Sequence, residues 1–169
     1  MIHLYCGDGK GKTTAAMGLA LRAAGHGKRV VITQFLKSGM SGERAALAAL
    51  PTVELLPIPE TMKFTFRMTE AEKAAERLRQ TELLHTAFRR GASADLLILD
   101  ELCAALSTGM VPLSDVLAGL DSLSPDTEVV ITGRDPAPEL SERAHYITEM
   151  VKRRHPFDGG TPAREGVEF

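Results

Sequence analysis

An α/β fold, a mostly parallel sheet with helices on both faces, is what this sequence predicts, on three observations. Four short apolar runs rich in branched side chains, at residues 2–6, 30–35, 95–99 and 128–132, have the length of strands buried on both faces. Helical stretches alternate with them, and that alternation reads as a doubly wound parallel sheet. A glycine-rich loop joins the first run to the first helical stretch, where folds of this class bind phosphate.

The elements follow in order. Residues 13–26 are rich in alanine and leucine and stop at Gly25 and Gly27, a natural helix end. Residues 53–58 are bracketed by Pro51, Pro57 and Pro59, which permits an edge strand or a short one at best. The long helix at 69–90 opens on Thr69 and Glu72, the spacing of a capping box, and runs to Gly91 with its charges on one face. A shorter amphipathic helix covers 113–123 and ends before Pro125, and a further strand is expected at 146–151. The chain shows no internal repeat and no low-complexity linker, so residues 1–169 read as one domain. Its tail, 152–169, is rich in glycine, proline and charge, and is either a docked extension or partly disordered.

The bulk composition narrows the function. A chain of 169 residues is long enough to hide roughly 70% of its unfolded surface. With 20 basic and 22 acidic side chains the net charge is −2, which argues against nucleic acid as the main partner. Cys6 and Cys103 lie in apolar segments without metal-type spacing and are expected as buried thiols, the alternative being one disulfide. The five histidines form no metal pattern, and His155 receives no role. No charged and apolar leader precedes the first strand, and no apolar run approaches the roughly 20 residues of a membrane span. A soluble, cytoplasmic protein without a membrane partner is expected.

The first strand ends in Cys6-Gly7-Asp8-Gly9-Lys10-Gly11-Lys12-Thr13-Thr14. Successive backbone N–H groups in such a turn converge into an anion nest, and the helix N-terminus adds its positive dipole end. Lys12 supplies a cation for phosphate oxygens, and Thr13 can offer its hydroxyl to Mg²⁺. The spacing departs from the common phosphate loop. The place of its first glycine is taken by Cys6, and Gly7 leaves only three residues before Gly11-Lys12-Thr13. Either the loop is one residue shorter or it lacks its first glycine.

A second signal is Leu96-Leu97-Ile98-Leu99-Asp100-Glu101, an apolar strand that delivers carboxylates to the same sheet edge. Asp100 is placed to hold Mg²⁺, directly or through water, and Glu101 to orient a water or contact a second substrate. Lys37 and Arg134 follow two other strands and can neutralise a polyphosphate; otherwise they are solvated surface cations.

Taken together, these segments resemble the P-loop type of ATP:corrinoid adenosyltransferase. The resemblance rests on the loop from Gly7 to Ala16, Gln34-Phe35-Leu36-Lys37, Gly42-Glu43, Leu99-Asp100-Glu101 and Thr132-Gly133-Arg134. His155-Pro156-Phe157-Asp158 and Ala163-Arg164-x-Gly166-Val167-Glu168-Phe169 in the tail complete it. The shortened loop and the tail are its most specific parts. It implies a RecA-like P-loop NTPase sheet, a homodimer, and transfer of the 5′-deoxyadenosyl group of ATP to the Co(I) of a reduced corrinoid. Triphosphate is then the leaving group, and the pathway is adenosylcobalamin biosynthesis or salvage. The resemblance implies Mg²⁺, with Mn²⁺ as a substitute, and an electron donor such as a flavodoxin or flavin reductase. It assigns nucleotide binding to Gly7, Asp8, Gly9, Lys10, Gly11, Lys12, Thr13, Thr14, Lys37 and Arg134, and the metal to Thr13 and Asp100.

In such enzymes the phosphates are reversed relative to ordinary P-loop proteins. Attack by Co(I) on C5′ breaks the carbon–oxygen bond, so charge develops at the α-phosphate, whereas a kinase clamps the γ-phosphate. Because cobalt is the nucleophile, no protein residue has a catalytic acid–base or nucleophilic role. Phe64 and Phe66, in Lys63-Phe64-Thr65-Phe66-Arg67, match the family's corrinoid-pressing aromatics, joined by Glu101 as a corrinoid contact. Relatives often carry tryptophan at the second aromatic position; this chain has no tryptophan. It also opens at the first strand, without the N-terminal extension of some longer members. The bland alternative for the two phenylalanines is an alternating strand with one buried face. For the whole chain the alternatives are a RecA-like ATPase or phosphotransferase, and a non-catalytic corrinoid delivery protein.

Overall fold

The computed structural model describes residues 1–39 and 41–167. Six strands, β1 (Ile2–Cys6), β2 (Val30–Gln34), β3 (Val53–Leu55), β4 (Leu96–Asp100), β5 (Glu128–Thr132) and β6 (Tyr146–Glu149), form one sheet in the order β3-β2-β4-β5-β1-β6. Every pairing is parallel. Helices α1 (Lys12–Gly25), α2 (Gly42–Ala48), α3 (Glu70–Gly91), α4 (Leu102–Ser107), α5 (Leu113–Ser122) and α6 (Pro138–Arg143) make the crossovers. This is the α/β architecture expected of a RecA-like P-loop domain.

Alternation along each strand builds two cores. Val30, Ile32, Leu96, Ile98 and Val130 face one way and pack on Ala16, Met17 and Ala20 of α1 and Leu47 of α2. Val31, Leu97, Leu99 and Ile131 face the other way, onto Leu83, Leu84, Ala87 and Phe88 of α3 and Val116 and Leu120 of α5. Strands apolar on both faces must be covered twice, and helices on both sides do so.

The sequence expectations hold for the central strands and the longer helices. Thr69 caps α3 as its spacing implies: its Oγ1 accepts from the Glu72 N–H at 3.2 Å, and the Glu72 carboxylate accepts from the Thr69 N–H at 2.8 Å. The expected strand at 53–58 shortens to Val53–Leu55 at the sheet edge, and that at 146–151 stops at Glu149. Three short helices, α2, α4 and α6, carry no strong sequence signal, since six or seven residues make too little helical periodicity. Cys6 and Cys103 are buried free thiols. Among the described residues no helix is long and apolar enough to cross a membrane.

The alternating-strand alternative for Phe64 and Phe66 does not hold. The segment is a single 3₁₀ turn, Thr65–Arg67, ahead of α3. Phe64 and Phe66 are 66% and 77% exposed and stack on each other, with ring centroids 5.4 Å apart. Neither contributes to a core.

Candidate active site

In an all-parallel sheet the C-terminal ends of the strands share one edge, and topology gathers the candidate residues there. Cys6 ends β1, so the turn into α1 is the five residues from Gly7 to Gly11. Gly11 has φ 112°, a left-handed conformation that strains any side chain. Gly9 is required by close approach instead. Its N–H donates to the Met150 carbonyl at 2.6 Å, and a Cβ there would stand 2.6 Å from the same oxygen.

Lys12 opens α1 and is only 8% exposed. Its Nζ donates to the Gly7 and Gly9 carbonyls, each at 2.7 Å, so the loop closes around its own ammonium. The positive charge is thus held inside the nest, where a phosphate oxygen can share it.

Beneath the loop, Gln34, Asp100 and Thr132 end β2, β4 and β5. Gln34 registers with Asp100, and Leu99 with Ile131. Counting by twos from Ile32, Ile98 and Val130 turns all three side chains toward α1. Asp100 is fully buried. Its Oδ1 accepts from the Thr13 hydroxyl at 2.9 Å and the Thr132 hydroxyl at 2.7 Å. Its Oδ2 accepts from Gln34 Nε2 at 3.0 Å and lies 3.6 Å from Lys37 Nζ. With donors around it on every side, burial of this carboxylate is compensated.

Glu101 adopts a left-handed backbone, φ 60°, and its N–H donates to the Thr132 hydroxyl at 2.9 Å. Burial first, and the neighbouring Asp100 second, hold its carboxyl above the usual range. Asp8, at the loop's outer edge, is pulled below its usual range chiefly by the Lys152 N–H, which donates to its Oδ1 at 2.9 Å.

These groups open onto a cleft of about 940 Å³. Asp8, Gly9, Lys10, Gly11, Lys12, Thr13, Thr14, Lys37, Glu101 and Arg134 line it, so the fold brings these sequence candidates together. Gly7 and Asp100 are not part of its lining. Phe64 and Phe66 lie outside its lining, so the fold does not bring them into the same cleft as Glu101. The tail is docked over the described residues. Lys10 Nζ donates to the Val167 carbonyl at 2.9 Å, the Lys152 ammonium pairs with Asp158, and His155, Phe157 and Gly166 join the wall. Glu168 and Phe169 of the tail motif lie outside the described residues.

Sequence reasoning missed two residues. Gln34 and Arg44 form a buried chain to Asp100: Arg44 Nη1 donates to Gln34 Oε1 at 2.8 Å. The readable signal was a polar side chain at the last inward position of a buried strand. Among the described residues no three carboxylate, histidine or cysteine groups converge on a metal position. A cation at this edge would draw the Thr13 hydroxyl and the Asp100 carboxylate from the protein and its remaining ligands from phosphate and water. Such a set of hard oxygens beside an anion nest suits Mg²⁺.

Comparison with known proteins agrees with this geometry. The family model for ATP:corrinoid adenosyltransferase BtuR/CobO/CobP matches residues 1–169. A corrinoid adenosyltransferase of Escherichia coli (strain K12) is 33% identical over 171 residues, covering all of this chain and 85% of the relative. That of Pseudomonas aeruginosa is also 33% identical, covering all of this chain and 83% of the relative. The Salmonella typhimurium protein is 30% identical with coverage of 100% and 85%. A match along the entire chain, loop and tail included, has one consequence: the chain belongs to the ATP:corrinoid adenosyltransferase family.

Proposed function

We propose that this chain moves the 5′-deoxyadenosyl group of ATP onto the Co(I) of a reduced corrinoid, in adenosylcobalamin biosynthesis or salvage, while the loop holds the departing triphosphate. The observation that carries this reading is the closed set of loop, Lys12, Thr13 and Asp100 at the floor of a cleft of about 940 Å³. Co(I) attacks C5′, the C5′–O bond breaks, and the electron pair leaves on the triphosphate. Cobalt is the nucleophile, so the protein's tasks are orientation and neutralisation of the leaving group. Lys12, Lys37 and Arg134 bring three positive charges to the cleft for that purpose. Mg²⁺, or Mn²⁺ in its place, would add charge neutralisation at the phosphates. Thr13 would offer it a lone pair while its hydroxyl proton stays donated to Asp100 Oδ1.

Glu101 is proposed as the corrinoid contact in the cleft and Phe64 and Phe66 as a flat apolar surface that presses on the corrinoid from outside it. Their exposure supports this: two stacked aromatic rings stand free of the core. The single domain with its docked tail, the homodimer and an external electron donor such as a flavodoxin or flavin reductase complete the proposal. The last two rest on the family resemblance.

The deciding experiment is an anaerobic reaction with ATP, Mg²⁺ and chemically reduced cobalamin. The adenosylated corrinoid spectrum together with triphosphate is the expected result. Release of ADP and phosphate would mark an ATPase, and binding without turnover a delivery protein.

The aromatic pair has its own expected outcome. Phe66→Ala leaves ATP affinity nearly unchanged and slows reaction with a corrinoid whose lower ligand is attached, by roughly tenfold if the ring area is lost from that contact. Displacing that ligand requires an occupant for its face, and an aromatic ring brings a large area at low entropic loss. Cobinamide, which lacks the lower base, should be slowed much less. Equal slowing of both corrinoids would remove the ligand-displacing role.

A further inference from the structure

The fold contains a buried arginine that the chemistry above does not use. Arg44 of α2 is 7% exposed. Its Nη1 donates to Gln34 Oε1 at 2.8 Å and its Nη2 to the Leu56 carbonyl at 3.0 Å, just past β3. Its Nε finds no hydrogen-bond partner among the described residues. A buried charge so placed is expensive unless an opposite charge is near. Burial disfavours its charge and the neighbouring Glu43 carboxylate favours it; a second carboxylate, Asp100, stands one amide away, because Gln34 Nε2 donates to Asp100 Oδ2 at 3.0 Å.

We infer that Arg44 is a positioning residue for the triphosphate–metal site and acts through Gln34. A glutamine amide has two nearly isosteric ends, and nothing in its shape decides which one meets the carboxylate. The fixed fork of Arg44 accepts no hydrogen bond, so it selects the oxygen end for itself and turns the N–H₂ end to Asp100. One oxygen of Asp100 is thereby pinned, which sets the plane of the carboxylate. The other oxygen then holds the hydroxyls of Thr13 and Thr132 at 2.9 and 2.7 Å. With its proton engaged there, Thr13 turns its lone pairs to the cleft. Orientation of the loop threonine is in this way set from α2, whose Gly42, Glu43 and Ala46 line the same cleft. A structural tie between β2 and β3 alone would need no charge. This inference rests on the reading of Asp100 and Thr13 as the Mg²⁺ side of the site.

The test is calorimetric ATP binding, once in EDTA and once in excess Mg²⁺, so that the ratio of affinities gives the gain due to metal. Loss of a partner that orients metal ligands typically weakens metal binding by about ten- to a hundredfold. Gln34→Leu and Arg44→Met should each cut the gain by at least about tenfold while affinity in EDTA changes little. Because one acts through the other, the double variant should lose no more than the worse single variant. Arg44→Lys, which can still reach Gln34 Oε1, should recover part of the gain. Asp100→Asn serves as the reference. If it keeps the full gain, the Mg²⁺ reading of Asp100 is wrong. If it loses the gain while Gln34→Leu keeps it, the relay is overturned and the Mg²⁺ reading stands. Additive losses in the double variant, or equal losses with and without metal, would also overturn the relay. Should Arg44→Met not fold, Arg44→Lys takes its place in the double variant and Gln34→Leu alone still decides.

Discussion

Lys12→Ala is expected to lower the affinity for MgATP by roughly ten- to a hundredfold, the equivalent of about 1.5–3 kcal/mol for one charge-assisted contact. Lys12 is the cation at the centre of the loop, and its Nζ lies 2.7 Å from two loop carbonyls. Its loss removes the charge facing the phosphate. It also frees the Gly7 and Gly9 carbonyls, whose dipoles then point into a site meant for an anion. Both effects act in the same direction. Neither reaches the cores, which are built from strand and helix residues on either side of the sheet. The melting temperature should therefore stay close to that of the wild type. Calorimetry of ATP binding together with a thermal melt checks both halves. Binding at wild-type strength would disprove the phosphate-loop assignment.

Asp100→Asn should weaken the apparent affinity for Mg²⁺ by at least about tenfold, with part of the lost rate returning at high Mg²⁺. The network shows why a nearly isosteric change matters. Asp100 only accepts, from two hydroxyls on one oxygen and from the Gln34 amide on the other. Asparagine must donate from one of those positions. The Gln34 side cannot take a second N–H₂, because Arg44 holds the Gln34 oxygen. The new amide therefore turns its N–H₂ to Thr13 and Thr132, whose hydroxyls must rotate and accept. Thr13 then presents a proton where a lone pair is needed. Rates measured across a Mg²⁺ series give the readout. A loss that no Mg²⁺ concentration relieves would assign Asp100 a structural role instead.

Local signals carried much of this protein's architecture. Strands buried on both faces need continuous apolar runs, and residues 96–100 and 128–132 supply them, so the parallel sheet was legible. The capping box at Thr69 needs only two residues three apart, and it formed as expected. The glycine-rich turn between β1 and α1 was equally plain, and glycine is required there where φ is positive at Gly11 and where the Met150 carbonyl crowds Gly9. The signal for each of these features lies in residues close together in the chain, although the contact that crowds Gly9 comes from Met150.

What tertiary structure alone decided involves residues far apart. That Gln34 would meet Asp100, 66 residues later, depends on β2 and β4 being neighbours in register. Arg44 reaches that pair only because a seven-residue helix, too short to announce itself by periodicity, lies over the ends of β2 and β3. The fate of the tail was open between docking and disorder until β6 placed Met150 against Gly9 and Lys152 against Asp8, over the loop at the other end of the chain. Phe64 and Phe66 had the spacing of a strand face, yet the backbone turns there and leaves both rings in solvent. By itself the sequence determined which chemical groups this protein has and which strand ends carry them. Their hydrogen bonds, and hence which of them act together, were decided by strand order and register, because a contact between distant segments leaves no periodic trace in either one.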